Sequence, residues 1–216
     1  MSRIQDNNNV NPEMQRQVRE AEAHLCDHDP QLGEIIRNLG PCPLASYIME
    51  PFDALVWTVI GQQISSAAAA SITSRLRDSA GGIFTAKALS NLTEQQFRDA
   101  GLSRNKVRTI GELSAKTLSG EIDMAALADH PDDQVIKQLC QHYGIGPWTA
   151  EMFLIFGLSR LDVFSGGDLA LRKAVGLLYG HPTRPDIAES NRLAENWAPY
   201  RTVASWYLWR TVDPLA

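Results

Sequence analysis

The sequence predicts an all-α fold of about ten helices, and three observations carry that prediction. Apolar residues recur at three- and four-residue spacing along most of the chain, capping residues stand at the ends of those runs, and no stretch alternates polar with apolar residues as a half-buried strand would. Nothing marks a linker and no fixed period repeats, so residues 11–216 read as one helical domain with room for two lobes, after a disordered polar start at 1–10.

The elements follow in order. Asn11-Pro12-Glu13 combines an N-cap, a first-turn proline and a first-turn acid, and Met14, Val18, Ala21 and Leu25 continue at helical spacing. Leu32, Ile35, Ile36 and Leu39 repeat the pattern until Gly40 stops it. From Phe52, the run FDALVWTVIGQQIS sets Phe52, Leu55, Val56, Val59 and Ile60 on one stripe. Ser65-Ser66 opens an alanine-rich helix that ends at Gly81-Gly82. Thr93-Glu-Gln-Gln has capping-box spacing, Gly101 closes that helix, and Ser103 caps the next, through about Leu118. Short segments follow near 124–128 and 132–142, then helices at about 149–157, 168–179, 185–197 and 199–210.

Composition bounds the function. At 216 residues and 44% apolar content the chain can fill a core without staples. Cys26, Cys42 and Cys140 are odd in number and widely separated, which indicates neither a disulfide framework nor a zinc or iron–sulfur site and suits a reducing compartment. No stretch of 18 uncharged apolar residues occurs, so no membrane partner is expected; the location expected is intracellular, cytoplasmic in a bacterium or nuclear in a eukaryote. A net charge of −5 argues against a broad basic face for nucleic acid.

The segment HYGIGPWTAEMFLIFG is the least ordinary. Val135, Ile136 and Leu139 give one helix a buried face, Tyr143-Gly144-Ile145-Gly146-Pro147 makes a turn, and the helix after it carries a single charge, Glu151. Glycines allow positive φ and close approach of another backbone, and free amides at the second helix start favour an anion such as phosphate. An αα-corner packed into the core would use the same residues. Further on, Asp168 follows Gly166-Gly167 and precedes LALRKAVGLLY, where an N-cap stands. Asp162 is the simpler structural aspartate.

VIKQLCQHYGIGPWTAEMFLIFG, followed by GGD, resembles the helix-hairpin-helix DNA glycosylases. PFDALVWTVIGQQISSAAAASITSRL, GLSRNKVRTIGELS and ENWAPYRTVASWYLWR are similar to segments of their DNA-3-methyladenine glycosylase II branch, so the likeness runs from about residue 50 to residue 210. It implies two helical lobes around a cleft, with the hairpin at about 135–157 and without an extra N-terminal β domain. It also implies a DNA phosphate gripped by hairpin amides, which needs few basic side chains, with Arg104, Lys106, Arg108, Arg172 and Lys173 adding a salt-sensitive contribution. By the same resemblance the carbonyls of Cys140, His142 and Ile145 hold a monovalent cation, Na⁺ or K⁺. No cofactor is required for the chemistry and no iron–sulfur cluster is expected, since the C-terminal four-cysteine cluster is missing. His142 itself reads as a surface residue.

In the resembled family an aspartate essential for base excision lies about twenty residues past the hairpin, and Asp168 stands twenty residues after Trp148. Cleaving the bond between deoxyribose and base develops oxocarbenium character, which a fixed carboxylate stabilises; the same group could orient or deprotonate the attacking water. Strand-cutting relatives carry a lysine where Trp148 stands, because an amine is needed for a Schiff base. The resemblance therefore implies a monofunctional enzyme leaving an abasic site. A nucleotide in a duplex must be rotated out and its gap filled, which the resemblance assigns to Gln63 with Gln62 beside it; loop hydrogen bonding explains these glutamines equally well. Gly144, Ile145, Gly146 and Thr149 complete the expected DNA contacts. Trp148 and Trp209 match pocket aromatics suited to cationic alkylated purines such as 3-methyladenine and 7-methylguanine, and Met152 replaces an aromatic of a relative. Trp57, Trp197 and Trp206 read as core.

The expected partner is damaged double-stranded DNA, bound by a monomer. Three alternatives stay open at this point: a glycosylase for hypoxanthine, ethenoadenine or uracil, a noncatalytic DNA-binding module, and a helical protein-interaction domain with an acidic surface.

Overall fold

A computed structural model describes residues 11–47 and 49–213; the expected disordered start at 1–10 lies outside the described residues. Among these there are twelve α-helices, three short 3₁₀ helices and no strand. The all-α reading holds, and the count exceeds ten because short elements escape a period-based search.

The chain forms two compact units. The first spans residues 49–158 and contains α3 (Pro51–Gly61), α4 (Ser66–Ala80), α5 (Ala86–Ser90), α6 (Glu94–Ala100), α7 (Arg104–Ser119), α8 (Asp132–Leu139) and α9 (Pro147–Phe156). The second joins both ends of the described chain: α1 (Pro12–His28), α2 (Pro30–Leu39), α10 (Leu169–Leu178), α11 (Ile187–Ala194) and α12 (Arg201–Val212).

In the first unit α3 packs on α9, and both are buried on more than one face. Phe52, Leu55, Val56, Val59 and Ile60 are buried as their spacing predicts. Burying one such side chain contributes about 1.5–3 kcal/mol. Trp57, expected in the core, is only half-buried, edge-on to Phe156 at 5.1 Å. Local capping does what the sequence says. Ser65 accepts from the Ala68 amide, Thr93 and Gln96 complete a capping box, Ser103 accepts from the Lys106 amide, and Gly81 and Gly101 end their helices in the left-handed region. Both carboxylate oxygens of the buried Asp53 accept from Arg77 Nη2, at 2.7 and 2.9 Å; burial raises its pKa above the ordinary carboxylate value despite that partner.

The core of the second unit gathers Val18, Ala21, Leu25, Leu32, Ile36, Val175, Trp197, Val203, Tyr207 and Leu208. Asn11 caps α1 through its carboxamide oxygen. Leu39, expected on the buried stripe, is 43% exposed at the last position of α2, and Trp206 is half-buried rather than core. Two acids, the buried Asp29 and the half-buried Glu22, stitch the segments together. Asp29 caps α2 and accepts from Tyr179 Oη at 2.6 Å and Trp197 Nε1 at 2.8 Å. Glu22 accepts from Tyr207 Oη and the Cys42 amide, both at 2.6 Å. Asp162 takes a bidentate pair from Arg201 at 2.7 and 2.9 Å, the structural role its sequence position suggests. Burial alone would raise the Asp162 pKa, but the Arg201 bonds and charge outweigh it and hold the carboxyl below its usual value.

Candidate nucleic-acid interface and catalytic carboxylate

The helix-hairpin-helix is α8, the turn 140–146 and α9. Amides of Gln141, His142 and Ile145 donate to the carbonyls of Gln138, Leu139 and His142, which closes the turn locally. Gly144 has φ +75°, and a Cβ there would overlap the Thr109 side chain on α7, so two independent constraints demand glycine. Gly146 differs: its φ is −109° and nothing lies within 4 Å of a Cβ built on it. Positive φ is used at Gly144 and not at Gly146. Its missing side chain answers no demand within the protein and leaves the start of α9 open to an incoming group. Pro147 occupies the first turn of α9, as expected for a residue that lacks an amide hydrogen.

Several side chains expected at the DNA face are turned to other work. Gln62 donates from Nε2 to the Gly144 carbonyl at 3.0 Å and to Thr149 Oγ1 at 2.8 Å, tying the end of α3 to the hairpin. Thr149 is 2% exposed with its hydroxyl on that amide, so its side chain does not reach solvent. Ile145 and Met152 are buried, at 6% and 3% exposure. Trp148 is half-buried in the first turn of α9. Gln63 is exposed and holds φ +57°, an unusual conformation for a residue with a Cβ.

The basic residues divide in the same way. Lys106 Nζ donates to the carbonyls of Ile60 and Gln62, each at 2.7 Å, and Arg172 Nε donates to Pro185 O at 2.9 Å, so both are spent on backbone. Arg108 lies 3.8 Å above the Tyr143 ring and pairs with Glu112, while Arg104 and Lys173 are exposed. His142 is half-buried rather than a plain surface residue, its Nδ1 3.2 Å from Lys116 Nζ. Burial, then the Lys116 charge, lowers its pKa, so the imidazole accepts from the ammonium.

In the second unit, Gly166-Gly167-Asp168 leads into α10. Asp168 is its N-cap: Oδ1 accepts from the Ala170 amide at 2.8 Å and the Leu171 amide at 2.9 Å. A Cβ on Gly166 would overlap the Asn191 carboxamide, whereas Gly167 is unconstrained by its neighbours. Asp168 as a whole residue is 9% exposed and counts as buried, while the next residue, Leu169, is 59% exposed. Trp209 is half-buried on α12. A groove of about 380 Å³ in the first unit, lined by Leu89, Phe97, Val107 and Leu118, contains none of the expected site residues. Among the described residues no cluster of three His, Cys, Asp or Glu could hold a metal, and no helix is long and apolar enough to cross a membrane.

Two helices joined by a tight glycine turn, with an open glycine at the start of the second, define a helix-hairpin-helix protein. Comparison with known proteins makes the assignment specific. The chain belongs to the HhH-GPD superfamily of base excision DNA repair proteins, whose family model matches residues 56–199. It is 33% identical over 199 residues to DNA-3-methyladenine glycosylase 1 of Schizosaccharomyces pombe, covering 90% of this chain and 87% of that one. It is 27% identical to an alkylbase DNA glycosidase-like protein of the same yeast, covering 89% and 92%. The solved structure of a 3-methyladenine DNA glycosylase from S. pombe in complex with abasic DNA superposes with a TM-score of 0.81 at 32% identity, covering 89% and 96%. A DNA-3-methyladenine glycosidase from Bacillus halodurans gives a TM-score of 0.71 at 32% identity, covering 89% of each.

Proposed function

We propose that this protein is a monofunctional DNA glycosylase that hydrolyses the N-glycosidic bond of alkylated purines in double-stranded DNA, leaving an abasic site. The observation that carries the reading is Asp168, held by two amide bonds to one carboxylate oxygen at the start of α10. Relatives that cover nearly the whole chain bear the name 3-methyladenine DNA glycosylase, which supports the glycosylase part of the reading. A carboxylate fixed by two amides needs no reorganisation when positive charge develops on the sugar, and that preorganisation is the source of its catalytic effect. Water then adds to C1′ as the bond to the base breaks. A cationic 3-methyladenine or 7-methylguanine departs as a neutral base and needs no general acid; Asp168 stabilises the sugar cation or takes the proton of the water.

The amides of Gly144, Gly146 and Thr149 hold a DNA phosphate, with the carbonyls of Cys140, His142 and Ile145 offered to a Na⁺ or K⁺ ion. Carbonyl oxygens suit such a hard cation, and the His142 carbonyl, which accepts only the Ile145 amide within the turn, has a second lone pair for it. The ion would add positive charge near the phosphate. Trp148 offers an aromatic face to the flipped cationic base, and Gln63 enters the vacated duplex position. Trp148 offers no amine, so no Schiff base forms and the strand stays intact.

Asp168→Asn isolates the charge, because asparagine caps a helix as well as aspartate does. Excision from a duplex carrying one 7-methylguanine is expected to fall at least 100-fold, with the thermal midpoint held. Unchanged release by a folded Asp168→Asn protein would end the assignment. Strand cleavage without added base, with an adduct trapped by borohydride, would overturn the monofunctional reading.

A further inference from the structure

We propose that Lys106 is a positioning residue that clamps the exposed Gln63-Ile64 tip into the shape needed for base excision; the proposal rests on the glycosylase reading above. Its ammonium sits between two carbonyls on either side of Gly61, those of Ile60 inside the last turn of α3 and Gln62 beyond it, at 2.7 Å each. An ammonium at a helix C-terminus is favoured by the helix dipole and satisfies carbonyls the helix leaves open. Burial lowers the Lys106 pKa, which marks the ammonium as partly withdrawn from water. The same turn has a second tether, since the Gln62 side chain spends its amide hydrogens on Gly144 O and Thr149 Oγ1.

Between these tethers and α4, Gln63 adopts φ +57° and is exposed, and Ile64 beside it is 38% exposed. A residue with a Cβ persists in the left-handed region when its surroundings hold it there. Here the holding groups, Lys106 of α7 and the hairpin, both grip the turn immediately before it, while the tip meets solvent. The sequence gives Lys106 the look of a phosphate contact, but its position beneath two carbonyls makes it a brace for the loop. A tip about 1 Å out of place costs on the order of 100-fold in rate.

The test compares Lys106→Met, Lys106→Gln, Gln63→Ala and the Lys106→Met/Gln63→Ala double variant on a duplex bearing one 7-methylguanine. Lys106→Met is expected to slow single-turnover excision on the order of 10- to 100-fold. Affinity for undamaged duplex and its salt slope should stay at the wild-type values, whereas loss of a phosphate contact would flatten that slope by about 0.9. The double variant should be no slower than Gln63→Ala, because the clamp acts through the tip. Lys106→Gln keeps a donor, should fold even if the methionine variant does not, and is expected at an intermediate rate. Multiplicative effects in the double variant, a flattened salt slope, or wild-type excision by folded Lys106→Gln and Lys106→Met would overturn the proposal. Wild-type excision by Gln63→Ala would also overturn it, and loss of excision in Asp168→Asn would then show that the glycosylase reading survives.

Discussion

Gly144→Ala and Gly146→Ala, two residues apart on one hairpin, should have opposite effects. At Gly144 an alanine faces two costs. Its φ of +75° lies in the left-handed region, which a Cβ makes less favourable by about 1–2 kcal/mol. The new methyl would also overlap Thr109, whose hydroxyl is hydrogen-bonded to the Asn105 carbonyl at 3.0 Å, and forcing an atom into packed space costs about 1–3 kcal/mol. The stiffer unfolded chain returns about 0.4–1 kcal/mol. The net destabilisation is about 1–5 kcal/mol, or a fall in Tm of about 2–18 °C for a chain of this size. Thr109→Ala in the same chain removes the overlapping atoms and should restore the packing part, leaving the backbone part. At Gly146 neither cost applies, so Gly146→Ala should hold or slightly raise the midpoint while weakening the grip on DNA. Urea and thermal melts of the four proteins, with binding to a duplex at fixed salt, check both halves. A Gly144→Ala protein within 0.5 kcal/mol of wild type, or one equally destabilised with and without Thr109→Ala, would refute the reasoning.

Other outcomes follow from the buried polar groups. Asp29→Ala removes the cap of α2 and strands the Tyr179 hydroxyl and the Trp197 indole, so the urea midpoint should report a loss of about 3–5 kcal/mol, with Asp29→Asn losing less. His142 has a folded pKa below its ordinary value of 6.5, so its contribution to stability is present above pH 6.5 and is lost as pH falls from there toward the lowered value. Denaturation midpoints between pH 7.5 and 5 should decline for wild type and decline less for His142→Asn; parallel curves would count against a lowered His142 pKa as the cause. Cys42, buried and with its thiol pushed up to about 12, should resist iodoacetamide at pH 8 in the native protein and react once unfolded.

What could be read from the sequence was what is decided locally. Asn11, Ser65, Thr93, Ser103 and Asp168 were recognisable as caps because a cap bonds two or three residues away. The buried stripe of α3 was legible for the same reason, since its spacing is internal to one helix. The five residues of α5 were missed, as they complete too few turns to display a period, although Thr85 caps them. Asp29 was missed because its buried donors come from Tyr179 and Trp197, far along the chain. Gln62 and Lys106 looked like ligand contacts because a polar side chain in a glycine-rich segment carries no sign of where it points. Only the fold brings Gly144, Thr149, Ile60 and the Gln62 carbonyl within their reach. The two glycines of the hairpin also look alike in sequence, and only Thr109 beside one of them tells them apart.

The second unit is assembled from the beginning and the end of the described chain, with the whole of residues 49–158 emerging in between. During synthesis α1 and α2 can pair with each other, but the carboxylates of Asp29 and Glu22 must wait for Tyr179, Trp197 and Tyr207 before their bonds are complete. Closing so long a loop is slow compared with forming the neighbouring contacts of the first unit. The nascent chain therefore carries an unfinished α1–α2 pair until α10 to α12 have been made, and those helices decide whether the pair is sealed or left for chaperones and proteases.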